Sequence, residues 1–276
     1  MRDTFFTMLL HLASWPEVEA YLKASDGIVI PIGSTEQHGP NGLLGTDALC
    51  PEIIAEEAAA AAGFLVSPTF NVGVAQHHLG FPGTITYRPS TMIAALKDWV
   101  ESLTRHGFRR FYFLNGHGGN IATIDAAFAE IYADYSLRAE TAPIVLKQRN
   151  WWQMRGVDSL TRRLYRASHG SHATPSEISV TYYAYPESIK KVEMSPKIAP
   201  EGPIRDAADY RTRFPDGRIG SDASLARPED GKRIVEIAAQ GLIEEVLRFF
   251  GESPQEGDTA GKTAHRPEPA PASGAG

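Results

Sequence analysis

Apolar runs of strand length alternate with segments of helical pattern along this chain, and that alternation leaves few architectures open. Gly27-Ile-Val-Ile-Pro-Ile opens a buried strand over 27–33, followed by Asp47 to Ala62, a stretch of helical composition closed by Gly63. Phe64-Leu-Val-Ser-Pro suggests a second strand. Ser90 then caps a helix to about His106, in which Met92, Ile93, Leu96, Trp99, Val100 and Leu103 recur at helical spacing. Phe111-Tyr-Phe-Leu gives a third strand before a helix over Ile121 to Asp134, and Pro143-Ile-Val-Leu-Lys a fourth before a helix over 175–184. Trp15 to Ala24, with Ser14 as N-cap, and the amphipathic stretch 229–250 complete the helices. Strands that alternate with helices return in the same direction. The expected fold class is therefore α/β, a mostly parallel sheet covered by helices on both faces.

Composition sets the remaining bounds. With 276 residues and 42% hydrophobic content the chain can bury a sizeable core, and residues 1–250 are expected to form a single domain. The stretch 193–228, rich in Pro, Gly and Asp with weak periodicity, reads as a long irregular excursion or lid. From Gly251 onward almost no large apolar residue remains, so 251–276 is expected to be a disordered Pro/Ala/Gly-rich tail. A net charge of −6 argues against a nucleic-acid partner. The one cysteine, Cys50, rules out an internal disulfide and fits a reducing compartment. Asp3 interrupts the short apolar N-terminal stretch, with no small-residue cleavage site after it, which argues against a signal peptide. No apolar run reaches the roughly 18 residues of a membrane span. The expectation is a soluble, cytoplasmic protein without a membrane or nucleic-acid partner.

In sheets of this kind ligands bind beyond the carboxyl ends of the strands, and there the chain concentrates its chemistry. The turn after the first strand carries Glu36, His38 and Asp47 within twelve residues. Glu36 and His38 are two apart, so in an extended segment both side chains point the same way. The turn after the third strand carries His117 among three glycines, and Ser171-His172-Ala-Thr-Pro-Ser-Glu177 adds an imidazole and a carboxylate at the start of a helix. Imidazole with carboxylate suits zinc, manganese or iron, and a shared carboxylate can bridge two such ions. Each piece also has a plainer reading. Glu36 and His38 can be solvated loop residues, and Gly-His-Gly-Gly-Asn a tight turn or a phosphate cradle, although it lacks the Lys and Ser/Thr of a P-loop. Glu177 can be a first-turn carboxylate favoured by the helix dipole. His77 and His78 read as loop or pocket-rim residues rather than ligands, and Trp151 and Trp152 as core and rim packing.

Several segments taken together carry a family resemblance. Glu36-Gln-His38-Gly-Pro, Gly45-Thr-Asp47, Phe81-Pro-Gly-Thr84 and Asn115-Gly-His117-Gly-Gly-Asn120 stand in the order found in the creatininase (creatinine amidohydrolase) family, and this chain resembles a divergent member of it. The resemblance implies a three-layer α/β/α sandwich and a site for two divalent metal ions (Zn, Mn or Fe). It also implies homo-oligomers, often hexamers, that hydrolyse a C–N bond other than a peptide bond. Position by position it implies metal ligands at Glu36, His38, the bridging Asp47, His117 and Glu177, and proton transfer by His172. In the implied reaction a metal-activated hydroxide attacks the amide carbonyl of a small molecule. Amides of Gly118 and Gly119 would help to hold the oxyanion.

The departures from the family pattern matter as much. Creatininase itself carries Tyr-Glu where this chain has Gly118-Gly119, and that Glu is a ligand of its second metal, which here would turn to Glu177 or a water, or be bound weakly. Asn41-Gly-Leu replaces His-Leu-Pro, and Thr174-Pro175 replaces Gly-Glu. These changes point away from creatinine as substrate and leave amide, formamide and cyclic amide bonds open. Two readings from other classes fit the same residues: a non-catalytic metal- or small-molecule-binding sensor on the same fold, and a nucleotide-binding domain using the glycine-rich turn.

Overall fold

A computed structural model describes residues 8–251. The tail expected beyond Gly251 lies outside the described residues. Four strands, β1 (Gly27–Ile32), β2 (Leu65–Val66), β3 (Arg110–Asn115) and β4 (Val145–Asn150), form one sheet in the order β2-β1-β3-β4. Every pairing is parallel. The register sets Ile32 beside Asn115 and Asn115 beside Asn150, so three strands end in one row and three turns open on one edge.

The helices are α1 (Trp15–Tyr21), α2 (Thr46–Ala62), α3 (Pro89–His106), α4 (Ile121–Leu137), α5 (Val157–Tyr165), α6 (Pro175–Ala184), α7 (Ala207–Arg213) and α8 (Pro228–Gly251). Side chains alternate across a strand, and here the alternation makes the layers. Ile28, Ile30, Ile32, Phe111 and Phe113 pack against Met92, Leu96, Val100, Ile124 and Ala127 of α3 and α4. Val29, Tyr112 and Leu114 face the other way, against Ile54, Leu160, Val180, Ile234 and Leu242 of α2, α5, α6 and α8. The result is the three-layer α/β/α sandwich that the strand and helix alternation requires. Each large apolar side chain fully buried in those layers contributes about 1.5–3 kcal/mol.

Local signals explain most boundaries. Ser14 caps α1, its backbone N–H donating to Glu17 Oε2 at 2.7 Å. The helix expected from Ser90 instead begins at Pro89 with Arg88 as N-cap, because the fixed φ of proline suits the first helical position. β4 begins at Val145, two residues after Pro143, and runs on through Lys147, Gln148 and Arg149, whose half-buried side chains suit an edge strand. α5, absent from the sequence reading, is short but buries Val157, Leu160, Thr161 and Tyr165 at helical spacing. The excursion expected over 193–228 is packed rather than free. It holds α7, capped by Asp206, and the wholly buried Arg218, which donates to Asp216 and to the carbonyls of Pro196, Lys197 and Ser221. No helix among the described residues is long and apolar enough to cross a membrane.

Candidate metal centre

The turns after β1 and β3 close on the first turn of α2. A Cβ on Gly33 would lie 2.1 Å from the Asp47 carbonyl oxygen, and one on Gly116 only 1.9 Å from it. Only glycine at both positions lets α2 settle between the strand ends. Asp47 is thereby buried in the middle of the row, 4% exposed.

Around it converge the side chains that the sequence singled out. Asp47 Oδ1 lies 3.0 Å from His38 Nε2, and Asp47 Oδ2 lies 2.8 Å from His117 Nδ1. Glu36 Oε1 lies 3.3 Å from His117 Nδ1, while Glu36 Oε2 accepts from Ser34 Oγ at 2.8 Å. Glu177 arrives from the start of α6, its Oε1 3.9 Å from His38 Nε2. Among the described residues Glu36 forms one group with His78 and His172, and two further groups are Glu36 with Asp47 and His117, and His38 with Asp47 and Glu177; in each, the ligand atoms lie within 4.8 Å of one another. Asp47 belongs to both of the latter.

The donor set fits a pair of cations on two observations. Both imidazoles are fixed from outside: His38 Nδ1–H donates to the Glu36 carbonyl at 3.1 Å, and His117 Nε2–H to the Val74 carbonyl at 3.0 Å. A carbonyl can only accept, so the inward nitrogens, His38 Nε2 and His117 Nδ1, are the ones left to bind an ion. Glu36 Oε1 and Asp47 Oδ2 are buried and meet no donor except the imidazole nitrogens beside them, which leaves both oxygens open to a cation once those nitrogens are deprotonated.

Three carboxylates so close must be neutralised, and protons do this when no cation is there. Burial opposes charge on His38, but Asp47, Glu177 and Glu36 outweigh it and hold the imidazole up at about 10. His117 is likewise held at about 9, against burial, by Glu36 and Asp47. Burial pushes Glu36 up to about 8 and also raises Glu177. Asp47 stays well below the carboxylate range despite burial, because both imidazoles face it.

His172 stands beside this cluster, its Nδ1 4.0 Å from Glu36 Oε1 and its ring 4.7 Å from that of His38. Its Nε2–H donates to the Gln37 carbonyl at 2.9 Å. Burial holds it well below the ordinary histidine value, in the neutral form. Gly118 lines a cavity of about 270 Å³ that opens over Asp47, His117, His172 and Glu177 and is walled by Trp151 and Trp152. Gly119 sits against His117: a Cβ there would meet His117 Nε2 at 2.4 Å and the Val74 carbonyl at 2.7 Å.

The sequence reading missed two residues. His78 is buried, 2% exposed, and not a rim residue: its Nε2 lies 2.9 Å from Glu36 Oε1. Gln37, between two candidate ligands, turns its side chain the other way. Its Oε1 accepts from Gly39 N–H at 2.9 Å, so the amide nitrogen faces Gly217 O at 2.9 Å and His78 Nδ1 at 3.0 Å. His78 therefore accepts at Nδ1 and carries its proton on Nε2, toward Glu36. Gln37 Nε2 also lies 3.1 Å from the Tyr210 hydroxyl of α7, and this contact, with the Gly217 bond, ties the 193–228 segment to the back of the site; Tyr210 in turn donates to Gly217 O at 2.8 Å. The available signals were the position of Gln37 between Glu36 and His38, and that of His78 just before Phe81-Pro-Gly-Thr84.

Comparison with known proteins bears on this arrangement. The family model for creatinine amidohydrolase (Creatininase) matches residues 11–246. The chain belongs to the creatininase family. A creatinine amidohydrolase of Pseudomonas putida is 28% identical over 254 residues, covering 86% of this chain and 95% of the relative. A 3-dehydro-scyllo-inosose hydrolase of Thermotoga maritima is 28% identical over 268 residues, 85% of this chain and 82% of the relative. A mycofactocin precursor peptide peptidase of Mycobacterium ulcerans is 26% identical over 237 residues, 80% of this chain and 85% of the relative. A crystal structure of creatinine amidohydrolase superposes with a TM-score of 0.79 at 24% identity, covering 90% of this chain and 99% of its own. Creatininase structures with the same TM-score of 0.79 include a zinc–zinc form and a manganese form.

Proposed function

We propose that this creatininase-family protein is a metal-dependent amidohydrolase that cleaves a C–N bond, in an amide, formamide or cyclic amide, of a small molecule. The observation that carries the reading is Asp47, buried at the cavity floor and offering one oxygen to each of two ligand groups. Relatives named as an amidohydrolase and as a peptidase support hydrolysis at such a bond.

In this reading Glu36, Asp47 and His117 hold one divalent ion, and His38, Asp47 and Glu177 the other. Zinc, manganese or iron there supplies Lewis acidity and lowers the pKa of a water toward neutrality. The chain's own residues do the rest. The outward N–H bonds of His38 and His117 keep each imidazole in the binding orientation. Trp151 and Trp152 form the wall against which a flat amide can lie, and Gly118 lets the substrate approach the β3 turn. His172 offers Nδ1 to the cavity, because Nε2–H is committed to the Gln37 carbonyl. It can take a proton at Nδ1 and give it to the departing nitrogen.

Metal analysis of the purified protein, followed by a panel of formamides, lactams and short amides assayed with zinc-, manganese- and iron-loaded samples, tests this reading. About two divalent ions per chain and turnover of one amide class are expected. Protein that takes up no divalent ion would sink the proposal.

A further inference from the structure

His169 and Ser176 stand together in the wall of the same cavity, and neither has a part in the reaction above. His169 Nε2 lies 2.8 Å from Ser176 Oγ, and His169 Nδ1 lies 3.2 Å from the Gly170 carbonyl. Only Nδ1–H can satisfy that carbonyl, so Nε2 is left as an acceptor toward the hydroxyl. On the other side Thr174 Oγ1 lies 3.0 Å from Ser176 Oγ and accepts from Glu177 N–H at 3.4 Å. The hydrogens then run one way: Glu177 N–H to Thr174, Thr174 O–H to Ser176, Ser176 O–H to His169, His169 N–H to Gly170.

A serine in a helix ordinarily turns its hydroxyl back onto the carbonyl four residues earlier. Ser179, three residues on, does so, donating to Pro175 O at 2.5 Å. Ser176, the second residue of α6, has no helical carbonyl at that spacing, and its hydroxyl reaches across to an imidazole. A hydroxyl bonded to a base that a third group orients is the arrangement that makes a serine reactive. Ser176 also lies in the first turn of the ten-residue α6, where backbone N–H groups lack partners within the helix and the dipole favours negative charge. Burial lowers the pKa of His169, which keeps it in the neutral form a base needs.

We propose that Ser176, with His169 as its general base, is a second nucleophile of this cavity, able to take the acyl group of a small activated ester without any metal ion. As Ser176 Oγ bonds to the acyl carbon, its proton passes to His169 Nε2. The carbon–oxygen bond to the leaving group breaks, and that oxygen takes the proton, leaving an alcohol and an acyl-serine. A water deprotonated by Nε2 then attacks the acyl carbon. The acid is released, and Ser176 Oγ recovers the proton.

The test uses full-length protein stripped of metal by chelator, so that its outcome does not depend on the metal centre. A biotin-tagged fluorophosphonate is added; a Ser176 Oγ–P bond forms, the P–F bond breaks and HF leaves. Peptide mass spectrometry is expected to place one adduct on Ser176. His169→Gln, folded by circular dichroism, is expected to label at least about a hundredfold more slowly, and Ser176→Ala not at all. No adduct on the chelated wild type, an adduct on another residue, or an unchanged rate in His169→Gln overturns the proposal. Should Ser176→Ala fail to fold, the wild-type map and His169→Gln still decide it.

Discussion

Loading the metal-free protein with zinc at pH 7 should expel two to three protons per chain. His38 is held at about 10, His117 at about 9 and Glu36 at about 8, so each carries a proton at pH 7 when no cation is bound. A ligand must be deprotonated to bind, so these protons leave as the ions enter. At about 1.36 kcal/mol per pH unit, stripping His38 at pH 7 costs about 4 kcal/mol, His117 about 3 and Glu36 about 1. Cation binding has to exceed those costs, and apparent affinity should climb steeply with pH, about a hundredfold or more per unit while two protons are displaced. Calorimetric titrations in buffers of differing ionisation enthalpy give the proton count as the slope of observed heat against buffer heat. Asp47→Asn should lower the count, because Asp47 is the main group that holds the proton on His38 and, after Glu36, the next that holds it on His117. Release of fewer than one proton per chain in the wild type would refute the electrostatic account. The same groups set the stability of the metal-free fold. The raised values of His38, His117 and Glu36 give stabilisation that is complete below their ordinary pKa values and lost as pH rises through about 8 to 10. His77, lowered to about 4 mainly by burial, and His78, His169 and His172, also lowered, act oppositely and cost stability as pH falls below about 6.5. Chelated protein should therefore be most stable near about pH 6, and urea unfolding across pH checks it; metal-loaded protein should lose the alkaline decline.

Other changes separate the parts of the site. Asp47→Ala should abolish binding of both ions, and elemental analysis showing full metal content would remove its bridging assignment. Glu177→Gln keeps an oxygen for the Thr174 N–H bond, so it should leave the fold intact and the chain with one ion of two; loss of both, or retention of both, contradicts the division into two groups. Gln37→Leu leaves His78 Nδ1 without its donor and Gly217 O with the Tyr210 hydroxyl alone, and should lower stability by about 1–3 kcal/mol in chemical unfolding. It should also reduce turnover more than metal content, whereas parallel loss of both would show that Gln37 acts only through the ligands.

How much of this was legible depended on the range of each interaction. β1 and β3 were readable because all six residues of β1 and the last five of β3 are buried, on both faces, and α3 because its apolar stripe keeps a 3.6 period from Met92 to Val100. The candidate ligands were readable because chain order delivers them at strand ends, which a parallel sheet lines up. α5 escaped because nine residues hold too few periods to separate from loop. His78 and Gln37 escaped because nothing local marks a polar side chain whose partners lie 41 or 180 residues away. The packing of 193–228 was hidden for the same reason. Its cohesion comes from the buried guanidinium of Arg218, bonded to backbone carbonyls, and from Tyr210, Phe214 and Ile219 packed with Phe81, and a Pro- and Gly-rich composition carries no sign of that.

In the proposed reading Glu177 supplies the carboxylate that the turn after His117 lacks. The carboxylate cannot simply stand on the turn after His117, because the space beside Gly119 is filled by His117 Nε2 and the Val74 carbonyl. Glu177 reaches the same cluster from α6, where it is already the third residue of a capping box with Thr174 and accepts the Thr174 N–H at 2.6 Å. The two tasks agree physically. The cap fixes the side chain before any cation arrives, so its ordering entropy is settled in folding rather than in binding. What it adds is dependence on the placement of α6. That helix packs closely on α8: a Cβ on Gly231 would lie 1.9 Å from the Ser179 carbonyl. One proposed ligand group, with Glu36 and His117, hangs on the strand ends of the sheet, and the other, through Glu177, on the packing of α6 against α8. The affinity of the two positions for metal is therefore open to separate adjustment. A residue such as Gly231, which touches no ligand, can weaken one position and leave the other as it was.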